Sequence, residues 1–183
     1  MSGRPFVVVV TGSECTGKTT MALEIATRFD APWSPEFVRA YLERKGVELD
    51  RADVEPIARG QIQAEDAAAA MARDLVVRDT DLVSTAVYAR HYYGACPAWI
   101  ANAARERRGD LYLLLHPDVP WVADGLQRDR PVERDLLHGL FQSALAGIGA
   151  RVIDITGTWD QRRERAFSAI GAAIRADGGP VSR

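Results

Sequence analysis

The sequence predicts an α/β fold: a three-layer sandwich around a mainly parallel five-stranded sheet. Three observations carry this reading. Short β-branched or leucine-rich runs recur along the chain, and they are too continuously apolar to be half-exposed strands. Stretches with helical spacing of apolar residues separate them. Glycine, proline and small polar residues punctuate the joints. Parallel strands joined by crossover helices satisfy all three.

Phe6-Val-Val-Val-Val10 reads as a strand buried on both faces, ending at Thr11-Gly12. Met21, Leu23, Ile25 and Ala26 give a helix over 19–29. Ala31-Pro-Trp-Ser-Pro35 is a short strand running into a loop, and a helix over 37–45 stops at Gly46. Asp53 is placed to cap an alanine-rich helix reaching about Asp74, with Pro56 in its first turn. Leu75–Asp79 is the next buried strand, followed by helices over 82–93 and 98–108. Asp110–Leu115 and Arg151–Ile155 are the last strands, and helices over 132–146 and 160–176 follow them. The expectation is a single domain over residues 1–176, with a polar loop of about 117–134 acting as a lid and a flexible tail over 177–183.

Composition limits the function classes. The chain has 183 residues, is 47% apolar and carries a net charge of −2, which fits one folded domain and not a dedicated nucleic-acid binder. Of 23 basic residues only Lys18 and Lys45 are lysine. Cys15 and Cys96 cannot build a disulfide framework, and His91, His116 and His138 show no metal-ligand spacing. No apolar run reaches membrane-spanning length. The expected setting is soluble and cytoplasmic, with no nucleic-acid or membrane partner; a homo-oligomer stays open.

Gly12-Ser13-Glu14-Cys15-Thr16-Gly17-Lys18-Thr19 fits the G-x-x-x-x-G-K-[ST] pattern, after a buried strand and at the opening of a helix. Glycines let the backbone wrap closely around phosphate oxygens, and successive N–H groups with the helix N-terminus face the anion. Lys18 supplies a point charge to the outer phosphates, and the Thr19 hydroxyl can ligate magnesium. The motif predicts a P-loop fold that takes ATP and Mg2+, with Thr20 next to the cradle. No Asn-Lys-x-Asp guanine motif and no Leu-Ser-Gly-Gly-Gln signature occurs, so common GTPases and transporter ATPases recede.

Phosphoryl transfer also needs carboxylates. Asp79 follows a buried strand at the sheet edge where ligands bind, which makes it the magnesium-side acid beside Thr19. Asp81 serves either as a helix cap or at the substrate. Glu36 is the first candidate to touch the acceptor hydroxyl or act as base; a first-turn helix acid is the plainer reading. In the loop after Leu115, Arg128, Arg130 and Arg134 can close on the transferring phosphoryl group, or simply pair with Asp129, Glu133 and Asp135. Trp121 can stack on a substrate ring, a cationic one best of all.

Taken together, Gly12–Thr20, Pro35-Glu-Phe-Val-Arg-Ala-Tyr41, Ile57-Ala-Arg-Gly-Gln61, Asp79-Thr-Asp81 with Thr85, and Pro120-Trp-Val-Ala-Asp-Gly-Leu126 resemble the ribosylnicotinamide kinase domain of bacterial NadR proteins, over roughly residues 5 to 170. The P-loop is widely shared; the other pieces, in this order, are far more specific. The resemblance implies a nucleoside-kinase-like P-loop fold and ATP-dependent phosphorylation of the ribose 5′-hydroxyl of nicotinamide riboside to the mononucleotide. It implies that Glu36, Arg39 and Tyr41 lie beside the acceptor, that Asp79 sits at the metal or hydroxyl, that Trp121 and Asp124 lie near the nicotinamide end, and that Thr156 to Arg162 form the loop holding adenine. The P-loop ends Thr19-Thr20 where Ser-Thr is usual in the family, which keeps the hydroxyl. The adenylyltransferase and DNA-binding portions of full NadR proteins have no counterpart in these residues, so the expectation is a kinase alone. A kinase for another nucleoside, and a non-catalytic ATP-binding regulator or slow ATPase, are the competing readings.

Overall fold

The computed structural model describes residues 4–120 and 133–177. In chain order these form β1 (Phe6–Thr11), α1 (Lys18–Arg28), β2 (Trp33–Ser34), α2 (Phe37–Lys45), a 3-10 turn (Arg51–Asp53) running into α3 (Val54–Met71), β3 (Leu75–Asp79), α4 (Leu82–Tyr93), α5 (Ala98–Glu106), β4 (Leu111–Leu115), α6 (Arg134–Gly147), β5 (Val152–Ile155) and α7 (Trp159–Ala176). The five strands make one sheet in the order β2-β3-β1-β4-β5, and every pair is parallel. The fold class read from the sequence holds, with no antiparallel member among the described strands.

β1 is central because both of its faces are apolar. Val8 and Val10 pack with α1 and α7; Val7 and Val9 pack with α3 to α6 on the opposite face. The chain leaves β1 toward one edge of the sheet and leaves β3 toward the other. A crevice therefore opens at the C-terminal ends of these strands. Val10 stands opposite both Asp79 and Leu113, so the P-loop and the first carboxylate emerge at the same level.

Two local details position the site. α2 has no fully buried residue, and Phe37 docks it on α3 at Gly60. A Cβ on Gly60 would come within 2.1 Å of the Phe37 ring, so glycine is tolerated mid-helix for that contact. The Phe37 N–H also donates to Gln61 Oε1 at 3.0 Å. The second detail corrects the sequence expectation: Asp50, not Asp53, is the cap. Its side chain accepts from the Ala52 N–H at 2.7 Å, while Asp53 reaches back to the Asp50 N–H in a capping box. Two acids three residues apart make either one a plausible cap; the extra 3-10 turn decides between them.

Candidate active site

The loop after β1 holds three left-handed residues: Gly12 (φ 135°), Cys15 (φ 55°) and Gly17 (φ 87°). A Cβ on Gly12 would lie 2.6 Å from the Leu115 carbonyl oxygen, and one on Gly17 would lie 2.7 Å from the Trp159 ring. The cradle is thus clamped between the end of β4 and the start of α7, and glycine is required at both points. Ser13 is fully buried; its carbonyl accepts from Thr16 Oγ1 and from Lys18 Nζ, each at 2.9 Å. Lys18 therefore lies folded across its own loop, and Glu14 and Cys15 sit on the turn above it.

Thr19 Oγ1 donates to Asp79 Oδ2 at 2.6 Å. Asp79 is 1% exposed, and among the described residues its Oδ1 has no hydrogen-bond partner. Burial, reinforced by the nearby Glu36 carboxylate, pushes the Asp79 carboxyl up to about 6, against the Thr19 hydrogen bond and the charges of Lys18 and Arg39. A half-buried hydroxyl paired with a buried carboxylate that has a spare oxygen, next to an anion cradle, fits the donor set of magnesium carried on a nucleotide.

Thr80 separates Asp79 from Asp81 by a left-handed turn (φ 65°), costly for a β-branched residue. The turn sends the two acids in different directions. Asp81 caps α4, accepting from the Val83 N–H at 2.9 Å and from the Tyr112 hydroxyl at 2.6 Å. It is 3% exposed, and burial raises its pKa. Of its two readings, cap and substrate contact, the geometry favours the cap, because both oxygens are committed inside the protein.

Glu36 is the N-cap of α2 and pairs with Arg39 at 3.0 Å. Both line a cleft of about 1180 Å³ that runs from Glu14 and Thr80 between α2, α3 and α4. Thr85 and the rings of Tyr88, Tyr92 and Tyr93 form its far wall. The Tyr88 and Tyr92 rings are stacked at 6.0 Å and 8°. Sequence reading missed this aromatic wall, although its signal was there: tyrosines four apart share a helix face. Gln61, which closes the Ile57–Gln61 piece of the resemblance, had no role assigned from the sequence; its amide holds α2 in place through Phe37.

Tyr41, expected beside the nucleoside, gives its hydroxyl to Asp53 at 2.8 Å, next to Lys45. It braces α2 against the turn that starts α3. Arg162, expected at adenine, is fully buried. Its guanidinium donates to the carbonyls of Gly157 and His116 at 2.9 Å and of Thr16 at 3.4 Å, and it pairs with Asp118. It ties the P-loop to the β4 end and to the turn before α7. Thr156 is exposed at the end of β5, and Thr20 is exposed on α1. Trp159, inside the same segment, packs on Gly17 and donates Nε1 to Glu24 at 3.0 Å. Arg134 is buried, and reaches the carbonyls of Val119 at 3.0 Å and Cys15 at 3.5 Å, so it does approach the P-loop. Trp121, Asp124, Arg128 and Arg130 lie outside the described residues.

A glycine cradle, a helix-opening lysine and a hydrogen-bonded threonine–aspartate pair on a parallel sheet define a P-loop nucleotide-binding protein. The chain belongs to the AAA domain family, whose model matches residues 7–162. It is 33% identical to the trifunctional NAD biosynthesis/regulator protein NadR of Escherichia coli (strain K12) over 131 residues, which are 68% of this chain and 32% of the relative. The chain thus spans about a third of the length of the curated relatives it matches. A crystal structure of NadR in complex with NR matches 98% of this chain and 53% of that one, with a TM-score of 0.78 and 27% identity. A second, of NadR in complex with NAD and AMP-PNP, gives 0.75 and 26%, covering 98% and 51%. The resemblance to NadR proteins read from the motifs is borne out. Among the described residues no helix is long and apolar enough to cross a membrane.

Proposed function

We propose that the protein is an ATP-dependent kinase that phosphorylates the ribose 5′-hydroxyl of nicotinamide riboside, giving nicotinamide mononucleotide and ADP. The observation that carries this is the junction of two sites: the hydrogen-bonded Thr19–Asp79 pair stands where the P-loop meets a cleft large enough for a nucleoside, and Glu36 faces that junction. The NadR relatives with NR and with an ATP analogue support the choice of both substrates.

The two carboxylates take separate work. Asp79 and Thr19 would hold magnesium, which would offset charge on the outer phosphates. Lys18 leaves the Ser13 carbonyl and turns to those phosphates. Glu36, oriented by Arg39, accepts the proton of the 5′-hydroxyl as the oxygen forms its bond to phosphorus and ADP departs. Catalysis is then positional and electrostatic, since the cleft aligns the alcohol with the cradle. The tyrosine wall suits a flat pyridinium, whose positive charge favours aromatic faces. Residues 1–176 act as one kinase domain, with Arg128, Arg130 and Arg134 of the 117–134 lid meeting the phosphates and Trp121 and Asp124 meeting the base. ATP supply places this work in the cytoplasm.

Incubation with MgATP and a nucleoside mixture tests the reading. The expected product, identified by mass, is nicotinamide mononucleotide. Transfer only to uridine or cytidine replaces the acceptor, and ATP loss unaffected by any acceptor removes the kinase assignment.

A further inference from the structure

Three side chains outside the nucleotide site converge at the β5 edge of the sheet. His116 follows β4; Asp154 lies in β5, in register with Leu114; His138 comes from α6, which covers that face. One ligand-type atom from each lies within 4.8 Å of those of the other two. His116 Nε2 is 2.8 Å from Asp154 Oδ1, and the two imidazole centroids are 4.0 Å apart.

His138 is the telling member. It is 8% exposed, and among the described residues neither ring nitrogen has a hydrogen-bond partner. A buried imidazole left that way costs free energy that a ligand on its lone pair would recover. Burial and the neighbouring His116 lower its pKa, and the charges of Asp154 and Asp135 act in the opposite sense.

We propose that His116, His138 and Asp154 bind a divalent transition metal of the zinc class. Two imidazoles and one carboxylate are the donor set of a borderline-soft ion and a poor one for magnesium, which prefers oxygen throughout. Bonds of roughly 2.1 Å place tetrahedral ligand atoms about 3.3 Å apart, so small side-chain rotations bring the three into range. The Asp154 side chain is 50% exposed, which opens a path from solvent and leaves a fourth position for water. The metal would pin α6, the helix that opens with Arg134, to the ends of β4 and β5. It takes no part in phosphoryl transfer, and the proposal does not depend on the identity of the acceptor.

The test is zinc titration of the untagged full chain by calorimetry, with excess Mg2+ present. One zinc per chain is expected, with affinity at least about tenfold lower in both rim variants, His116→Ala and Asp154→Ala. Co2+ should give the strong visible absorption of a tetrahedral centre, lost in His116→Ala. Circular dichroism of the two variants checks that they stay folded. Unchanged zinc affinity in either folded variant, or no stoichiometric binding by the unaltered chain up to millimolar zinc, overturns the proposal.

Discussion

The phosphate cradle and the acceptor cleft meet at Asp79, yet they are built in different ways. The cradle is one uninterrupted turn whose special conformations fall on Gly12, Cys15 and Gly17, with Lys18 and Thr19 next in line. The cleft draws Glu36 and Arg39 from α2 and Tyr88 and Tyr92 from α4, and relies on Gln61 of α3 to hold α2 in place. The first is set by backbone geometry within a few residues. The second exists only because α2 and α4 both pack against α3. Asp79 and Asp81 repeat the contrast at small scale: one turn of Thr80 hands the first to the cradle and the second to the core.

The contrast is sharpest in mutants. Lys18→Ala should lower kcat about a thousandfold, because it removes a preorganised charge from the phosphates. The melting temperature should move by only a few degrees, since the lysine's hydrogen bond goes to the Ser13 carbonyl of its own loop. Steady-state kinetics and a thermal melt check both halves, and a collapse of the fold would count against a ligand role.

The aspartate pair comes next. Asp79→Asn should cost about a hundredfold or more in magnesium-dependent turnover. Asp81→Asn should stay within a few-fold of the parent in turnover, because the amide oxygen still caps the helix; the NH2 group that replaces the acceptor of Tyr112 costs stability and not activity. Asp81→Ala should lose about 2 kcal/mol of stability by denaturant titration, through the lost cap and the Tyr112 hydroxyl left without its acceptor. Equal activity losses for the two asparagine variants would erase the division of labour.

Glu36→Gln should reduce kcat about a hundredfold with the ATP KM little changed, as expected for loss of a general base. Proton competition gives a further handle. The Asp79 carboxyl is raised to about 6, so the folded protein holds this proton more tightly than the unfolded chain does. Its contribution to stability is complete below the ordinary carboxylate range and fades as pH rises through about 6. Magnesium needs the ionised form, so MgATP affinity should weaken as pH falls below about 6, and Asp79→Asn should remove that limb of the titration. The smallest effect is Tyr92→Ala, which should raise the nucleoside KM up to about tenfold and leave the ATP KM alone. Equal shifts in both would take the ring out of the acceptor wall.

Much of this protein was legible before folding. Five strands, their order in the chain and the P-loop all follow from short-range rules: apolar runs for the buried strands β1, β3 and β4, glycine for positive φ, a hydroxyl opening a helix. Even element ends were close, since α4 runs from Leu82 to Tyr93 as its spacing implies. Side-chain direction was not legible. Tyr41 turns to Asp53, Arg162 sinks beneath the P-loop, and His116 and His138, which show no ligand spacing along the chain, meet at the sheet edge with ring centroids 4.0 Å apart. Local propensity acts through a few covalent bonds and can be read residue by residue. Which buried polar group finds which partner depends on helices and strands brought together from distant parts of the chain, and only the packed sheet with its two helical layers made those choices.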